Sequence, residues 1–344
     1  MARIIYGVSG QGFGHSTRSK EIIDFLIDSG HEVLILTYGQ ALFFLEKDYK
    51  VLEVPGMVLS YKNNKLSYLR TGGRNVIQFI KRSAKWIPIQ NKIKKFKPDL
   101  AITDFEATTC LLAVTQKIPL ISIDNQHQLT RTKIACKGYR KELVGTKLII
   151  KSMVWGAKKY FITTFYETPI RKRNTFLFPP IIRREVLNLE SKRGDYILVY
   201  QNSSFNDNLE IFKKSKEKFV IFGLDKEGKE DNLEFKNYSS HEFLNYLAGC
   251  KAVIATAGLS LITESLHLKK PYLAMPVKKQ VEQILNSQYL EKMGYGISTY
   301  DLTMEDLSEF LSNLKNFENN LENYPFKDNS AIFKKLEESI NNWT

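Results

Sequence analysis

Short apolar runs alternate with helical stripes from the start of the chain. Ile4 to Val8 is an apolar run of strand length, and Ser16 to Ser29 carries Ile22, Ile23, Leu26 and Ile27 at helical spacing before Gly30. Val33–Thr37 reads as a strand, Gln40–Lys47 as a helix and Val51–Val54 as a strand. Residues 56–75 are polar and loop-like. A long basic helix follows, which Pro88 should kink or break. Leu100–Thr103 is a strand, Ala107–Gln116 a helix and Pro119–Ile123 another strand. Such βα alternation predicts a doubly wound parallel sheet.

The alternation restarts beyond Phe176–Arg184, where Pro179 and Pro180 stiffen a junction. Tyr196–Tyr200, Phe219–Phe222, Lys251–Ala255 and Pro271–Met275 read as strands. Helices are expected over Asp207–Lys216, from a capping box at Ser239–Glu242 through Leu247, over Leu261–Leu268 and over Gln280–Met293. The fold class is therefore α/β, with two Rossmann-like doubly wound parallel-sheet domains facing a cleft between their carboxyl edges. We place the first domain at 1–178, a linker at 179–190 and the second domain at 191–327. The amphipathic segment 328–344 is expected to pack back on the first.

At 344 residues, two domains are the natural expectation. No stretch reaches the ~20 apolar residues of a membrane span, and the amino terminus has no cleavable signal pattern. Cys110, Cys136 and Cys250 are widely spaced and odd in number, which suits a reducing cytoplasm and offers no metal pattern. Charge is uneven. Residues 1–189 hold 31 Lys+Arg against 14 Asp+Glu, a net of +17, while residues 190–344 hold 19 against 23. The first domain should thus face something anionic.

Candidate chemistry begins at the first turn, where Gly10, Gly12 and Gly14 precede His15. Glycines there let a ligand approach the backbone, and the following helix offers unpaired N–H groups. This is not the dinucleotide fingerprint, because the spacing is GxGxG and no acid ends the second strand at Thr37-Tyr38. A histidine at such a turn has little packing reason to be there. Asp104, at the carboxyl end of a later strand of the same sheet, could orient it, with Glu106 as the fallback. Asp104 could instead cap the next helix.

The second half reads Ala255-Thr-Ala-Gly258-Leu-Ser-Leu-Ile-Thr263-Glu264, then Pro271, Met275-Pro276 and Glu282-Gln283-x-x-Asn286. This resembles the donor-binding region of GT-B glycosyltransferases of the family-1 and family-28 type. The opening Gly-Phe-Gly-His-x-x-Arg is also similar to that of nucleotide-sugar hydrolases. Together with Asp104-Phe-Glu and Asp124-Asn-Gln-His, it resembles an uncharacterised glycosyltransferase-like group with many archaeal members.

The resemblance implies specific roles. Backbone amides at Gly258, Leu259 and Ser260 would hold a diphosphate and Glu264 the ribose hydroxyls, with Ala257 and Thr263 among the donor-binding residues. Glu282 and Gln283 would reach the donor sugar, with Asn286 shaping the same helix start, and Asn202, Ser203 and Ser204 would add phosphate contacts. The segments around Phe222 and Tyr238 are candidates for the nucleobase pocket, and Gly12, Gly14 and Arg18 join the donor contacts. Two departures stand out: Thr-Ala-Gly replaces the usual His/Ser-Gly-Gly, and Lys269 stands where Gly-x-Pro has glycine.

Finally, Arg70, Arg74, Lys81, Arg82, Lys85, Lys92, Lys94, Lys95 and Lys97 crowd residues 70–97 without an acid. Interleaved Ile80, Trp86, Ile87 and Ile89 fit this segment to an anionic membrane surface. The expectation is an inverting, metal-independent glycosyltransferase (hexosyltransferase type) of glycan biosynthesis. It would use a nucleotide sugar, a UDP-sugar by expectation, with no further cofactor. Its acceptor would be a hydroxyl compound, lipid-linked or held at the membrane, with no nucleic acid partner. The expected location is cytoplasmic, peripheral on the inner face of the cell membrane. A nucleotide-sugar hydrolase and a catalytically idle nucleotide-sugar-binding scaffold are the alternatives.

Overall fold

The computed structural model describes residues 1–11, 13–56, 61–62, 65–66, 86–134, 138–201, 208–325 and 327–343. The chain divides into two compact units, Met1–Arg183 with Asp328–Thr344, and Arg184–Lys327. Among the expected features, Gly12, Cys136, most of 56–75, the basic residues from Arg70 to Lys85, and Asn202, Ser203 and Ser204 lie outside the described residues.

The first unit is built on β1 (Arg3–Val8), β2 (Glu32–Thr37), β3 (Val51–Glu53), β6 (Leu100–Asp104), β7 (Leu120–Asp124), β8 (Lys159–Thr163) and β9 (Thr175–Phe178). A separate antiparallel pair, β4 (Tyr61–Lys62) and β5 (Lys65–Leu66), lies between β3 and β6 in sequence. The seven-stranded sheet runs β3-β2-β1-β6-β7-β8-β9 and is parallel throughout. Strands covered on both faces need apolar residues at every position. Ile4, Ile5, Tyr6 and Val8 of β1 are accordingly all buried.

The second unit contains β10 (Tyr196–Tyr200), β11 (Lys218–Phe222), β12 (Gly228–Glu230), β13 (Leu233–Lys236), β14 (Ala252–Ala255), β15 (Tyr272–Ala274) and β16 (Gly296–Ser298). Its order is β12-β13-β11-β10-β14-β15-β16, parallel except for the β12–β13 edge pair. The chain thus has an α/β architecture of two units, each built on a doubly wound, mainly parallel sheet. The sequence pattern had placed no strand or helix over 128–178 or 224–238, where β8, β9, β12, β13 and the helix Arg140–Met153 lie.

Several local details differ from expectation. The first helix spans Phe13–Asp28 and so takes His15 into its first turn instead of leaving it in a loop. Helix Trp86–Phe96 carries Pro88 as its third described residue and runs on past it to Phe96. At helix Ser240–Gly249 the expected capping box is not made. Ser239 forms no side-chain cap bond, and Glu242 sits 3.5 Å from Lys236 instead. A true capping box joins Thr303 and Asp306 at helix Met304–Ser312.

The last helix, Ser330–Asn341, belongs to the first unit. Ile332, Leu336 and Ile340 enter that unit's core at four-residue spacing, and the Phe333 ring stacks on Phe25 at 4.3 Å. Burying each aliphatic side chain contributes roughly 1.5–3 kcal/mol. His31 fastens the same helix. It accepts the Ala2 N–H at Nδ1 (3.1 Å), so Nε2 carries the proton toward Glu337 (3.2 Å). Asn329 grips the backbone of Ile182 through both amide atoms, at 3.0 and 2.8 Å. Ile181 and Ile182, inside the expected linker, are therefore packed on the first unit.

Candidate functional site

In an open parallel sheet, ligands bind beyond the carboxyl ends of the strands where strand order reverses. Each sheet has one such point. In the first unit it falls between β1 and β6, and in the second between β10 and β14. The sequence candidates cluster at these two points.

In the first unit, Val8 pairs with Asp104 in register, and Ser9 N donates to Asp104 O at 3.0 Å. The helix that follows β1 swings His15 over this carboxylate, with His15 Nδ1 2.7 Å from Asp104 Oδ1. Asp104 is 1% exposed, whereas the His15 side chain keeps 16% of its surface open. The ring lies nearly parallel to Phe105, centroids 6.3 Å apart. Phe105 itself holds a left-handed backbone, φ 56°, which costs a side-chain-bearing residue about 1–2 kcal/mol. Strain of that kind is often kept where it aims functional groups.

Asp104 is crowded with donors. Arg18 Nε reaches Oδ2 at 2.7 Å, Ser19 Oγ donates to Oδ2 at 2.9 Å, and Arg18 Nη2 bonds Oδ1. Burial alone would raise this carboxyl, but the Arg18 and His15 charges and hydrogen bonds outweigh it and hold the group well below its usual range. It is thus an anion in the folded protein. Helix capping falls to Glu106, which takes the Thr108 and Thr109 N–H groups at 2.8 and 2.6 Å. Burial pushes Glu106 up, and these bonds only partly offset it. Glu106 is thereby committed to Ala107–Thr115 and does not stand in for Asp104.

Gly10 serves packing. A Cβ there would lie 2.0 Å from Tyr38 O, so the missing side chain admits the next loop's backbone, not a ligand. Gly14 lies in the first helical turn. Arg18 is turned inward to Asp104 and Asn125, its side chain 9% exposed. Sequence reading missed the parts played by Ser19 and Asn125. It quoted Asp124-Asn-Gln-His as a motif but gave no role to the pair at its ends, His127 on Asp124 at 2.7 Å, with Ser122 Oγ on the same carboxylate at 2.6 Å. Burial would raise Asp124, but the His127 charge and hydrogen bonds bring it down.

In the second unit, Thr256-Ala257-Gly258 links β14 to the helix Leu259–His267. Gly258 is the N-cap and provides no side-chain cap bond, so the first-turn N–H groups of Leu259 and Ser260 have no intrahelical partner. Its φ of −69° suits any residue, and a Cβ built on it meets no heavy atom within 4 Å. Neither strain nor packing accounts for glycine there. Open space above a helix N-terminus does suit an anion.

Of the neighbouring candidates, Asn286 braces this turn, its Nδ2 donating to Ala257 O at 3.1 Å. Gln283 Oε1 accepts Val277 N at 2.9 Å, and Thr263 Oγ1 donates to Ser260 O at 2.9 Å within its own helix. Tyr272 OH holds Thr256 O at 2.7 Å, and burial with the nearby Glu264 raises that phenol. Glu264 is itself only 4% exposed, while Glu282 is half-buried at the start of Val281–Lys292. Lys269, where the family pattern has glycine, adopts the left-handed φ of 58° that glycine would favour.

Phe222 requires correction as a base-pocket side chain. It is fully buried, its ring edge-on to Phe243 at 5.3 Å and Tyr246 at 5.7 Å. Tyr238 is 45% exposed and sits 6.0 Å from Tyr200, an aromatic the sequence reading did not single out. Among the described residues, no three His, Cys, Asp or Glu side chains group as metal ligands do, and no helix is long and apolar enough to cross a membrane.

Two doubly wound sheets, each with a switch point at its carboxyl edge, fit the GT-B fold. The chain belongs to glycosyl transferase family 1, whose model matches residues 2–315. An uncharacterized glycosyltransferase of Methanosarcina mazei is 25% identical over 325 residues, 86% of this chain and 85% of the relative. A Clostridium botulinum UDP-N-acetylglucosamine--N-acetylmuramyl-(pentapeptide) pyrophosphoryl-undecaprenol N-acetylglucosamine transferase is 34% identical over 96 residues, 25% of this chain and 27% of its own. The crystal structure of the glycosyltransferase VinC in complex with dTDP superposes with a TM-score of 0.63 at 11% identity, covering 99% of this chain and 100% of that one.

Proposed function

We propose that this glycosyltransferase moves a sugar, with inversion, from a nucleoside-diphosphate sugar to a hydroxyl acceptor, with His15 as the base. The observation that carries the reading is the His15–Asp104 contact at the first switch point. With its Nδ1 proton directed to Asp104, His15 keeps a lone pair on Nε2 to take the acceptor proton as the oxygen attacks the anomeric carbon. Attack from the face opposite the diphosphate inverts that carbon. The leaving diphosphate would be received at the N-terminus of Leu259–His267, where open N–H groups and the helix dipole stabilise developing charge without a metal ion. Glu264 would take the ribose hydroxyls, and Glu282 the donor sugar. The reading requires both half-sites to act on one pair of substrates.

UDP is the proposed nucleotide, in keeping with the UDP-linked donor in the name of the C. botulinum relative. VinC carries dTDP, another pyrimidine diphosphate, which makes dTDP-sugars the first competitor. The same relative's pyrophosphoryl-undecaprenol acceptor, with the basic first unit, supports a lipid-linked acceptor at an anionic membrane. On the helix Trp86–Phe96, Ile89 and Ile93 face inward, while Lys92, Lys94 and Lys95 are exposed beside Ile87 at 67%.

A thermal-shift panel of UDP-, dTDP- and GDP-sugars tests the donor. A ligand at one hundred times its Kd stabilises by about 2.7 kcal/mol, so the true donor should stand out. No shift with any UDP-sugar would remove the UDP assignment. Free reducing sugar formed without an acceptor would turn the reading toward the hydrolase.

A further inference from the structure

Arg18 was expected to touch the donor, yet its guanidinium is tied on all sides within the protein. Nε donates to Asp104 Oδ2 at 2.7 Å, Nη2 bonds Oδ1, and Nη1 donates to Asn125 Oδ1 at 3.2 Å. Nη2 also lies 2.9 Å from His15 Nδ1. His15 and Arg18 are three residues apart on one helix, which puts imidazole and guanidinium on the same face, over one carboxylate. Asn125 follows β7, the strand beside β6, and so meets the far end of the fork.

This arrangement sets a choice at His15. A carboxylate only accepts hydrogen bonds and a guanidinium only donates them. Nδ1 lies within reach of both, 2.7 Å from Asp104 Oδ1 and 2.9 Å from Arg18 Nη2. Bonded to Asp104, Nδ1 carries the proton and Nε2 keeps its lone pair. Bonded to Arg18, Nδ1 gives up its lone pair, Nε2 carries the proton, and His15 can accept none. The outcome depends on how the carboxylate is turned. The fork of Arg18, with Ser19 Oγ on Oδ2 at 2.9 Å, fixes that rotation and presents Oδ1 to the imidazole. We propose that Arg18, steadied by Asn125, is a positioning residue that fixes the His15 proton on Nδ1, and is not a contact of the sugar donor.

The kinetic half of the test rests on the transferase reading, and the spectroscopic half does not. In ¹⁵N-labelled full-length protein without substrate, the His15 ring nitrogens are identified among five histidines by their loss in His15→Gln. Wild type should show Nδ1 protonated and Nε2 bare. Arg18→Lys keeps the charge and loses the fork. It should raise the Nε2–H fraction and lower kcat at least tenfold, with the KM for the nucleotide sugar within twofold. Asn125→Ala leaves the Asp104–Arg18 pair whole and should move the tautomer the same way to a smaller degree, which serves if Arg18→Lys does not fold. Wild-type tautomer populations in both variants would overturn the proposal. So would a raised donor KM at unchanged kcat, which would return Arg18 to the donor. Loss of the transfer reading with the tautomer shift intact would leave the positioning role standing.

Discussion

Replacing Asp104 by Asn is the sharpest perturbation of the first half-site. The side chain is isosteric but loses its charge and swaps one acceptor oxygen for a donor NH2. Asp104 receives Arg18 through two nitrogens, Ser19 at 2.9 Å and His15 at 2.7 Å, so any orientation of the new amide faces NH2 toward at least one donor. The Arg18 guanidinium, 9% exposed, would be left without its counter-charge. Removing one partner of a buried pair costs about 3–5 kcal/mol. That is survivable against the roughly 5–15 kcal/mol that holds most proteins folded. Urea denaturation at neutral pH should show the loss directly. The pH dependence has a definite sign. Because the fold holds the Asp104 carboxyl below its ordinary value, its contribution is whole above about pH 5 and is lost as pH falls through ~4 toward the folded value. Wild type should therefore lose stability through that window, and Asp104→Asn should lose less. Turnover in the variant should drop by about 10²–10⁴, the usual worth of a positioned base. Wild-type stability and an unchanged acid slope would refute the view that Asp104 is a buried anion holding Arg18 and His15.

Three further outcomes follow from other parts of the molecule. Gly258→Ala should fold with unchanged or slightly raised Tm, since its Cβ meets nothing within 4 Å. It should nevertheless weaken donor binding in calorimetry at least tenfold, and an unaffected donor Kd would remove the diphosphate from that helix end. Leu336→Ala should lower stability by about 2–5 kcal/mol in chemical denaturation, because Leu336 is fully buried in the first unit's core. A cost under ~0.5 kcal/mol, the range of surface substitutions, would mean that the last helix does not dock there. Co-sedimentation should occur with anionic and not with neutral vesicles and weaken with salt. Absence of binding to either would discard the membrane surface.

Much of the fold was legible because parallel strands buried on both faces leave continuous apolar runs. Tyr196–Tyr200 needed no revision. His15 and Asp104 could be paired because both end up at carboxyl ends of strands in one sheet, a matter of topology. Direction was harder to read. His-x-x-Arg puts Arg18 on the same helix face as His15, but spacing cannot say whether that face meets a ligand or a buried carboxylate. Phe222 failed for the same reason, since the last residue of a doubly covered strand can point into either layer. At Ser239 the capping-box spacing is present, yet Glu242 lies beside Lys236 instead. Gly10 and Gly258 look alike in sequence. Only their surroundings separate a glycine that admits Tyr38 from one that leaves space open.

The most direct test of the central claim is nucleoside-diphosphate release during transfer by His15→Ala, at saturating donor and acceptor. The account predicts a rate at least one-hundredfold below wild type with the donor Kd unchanged, because the base is lost while the second unit's donor site is intact. Undiminished release by His15→Ala would contradict it.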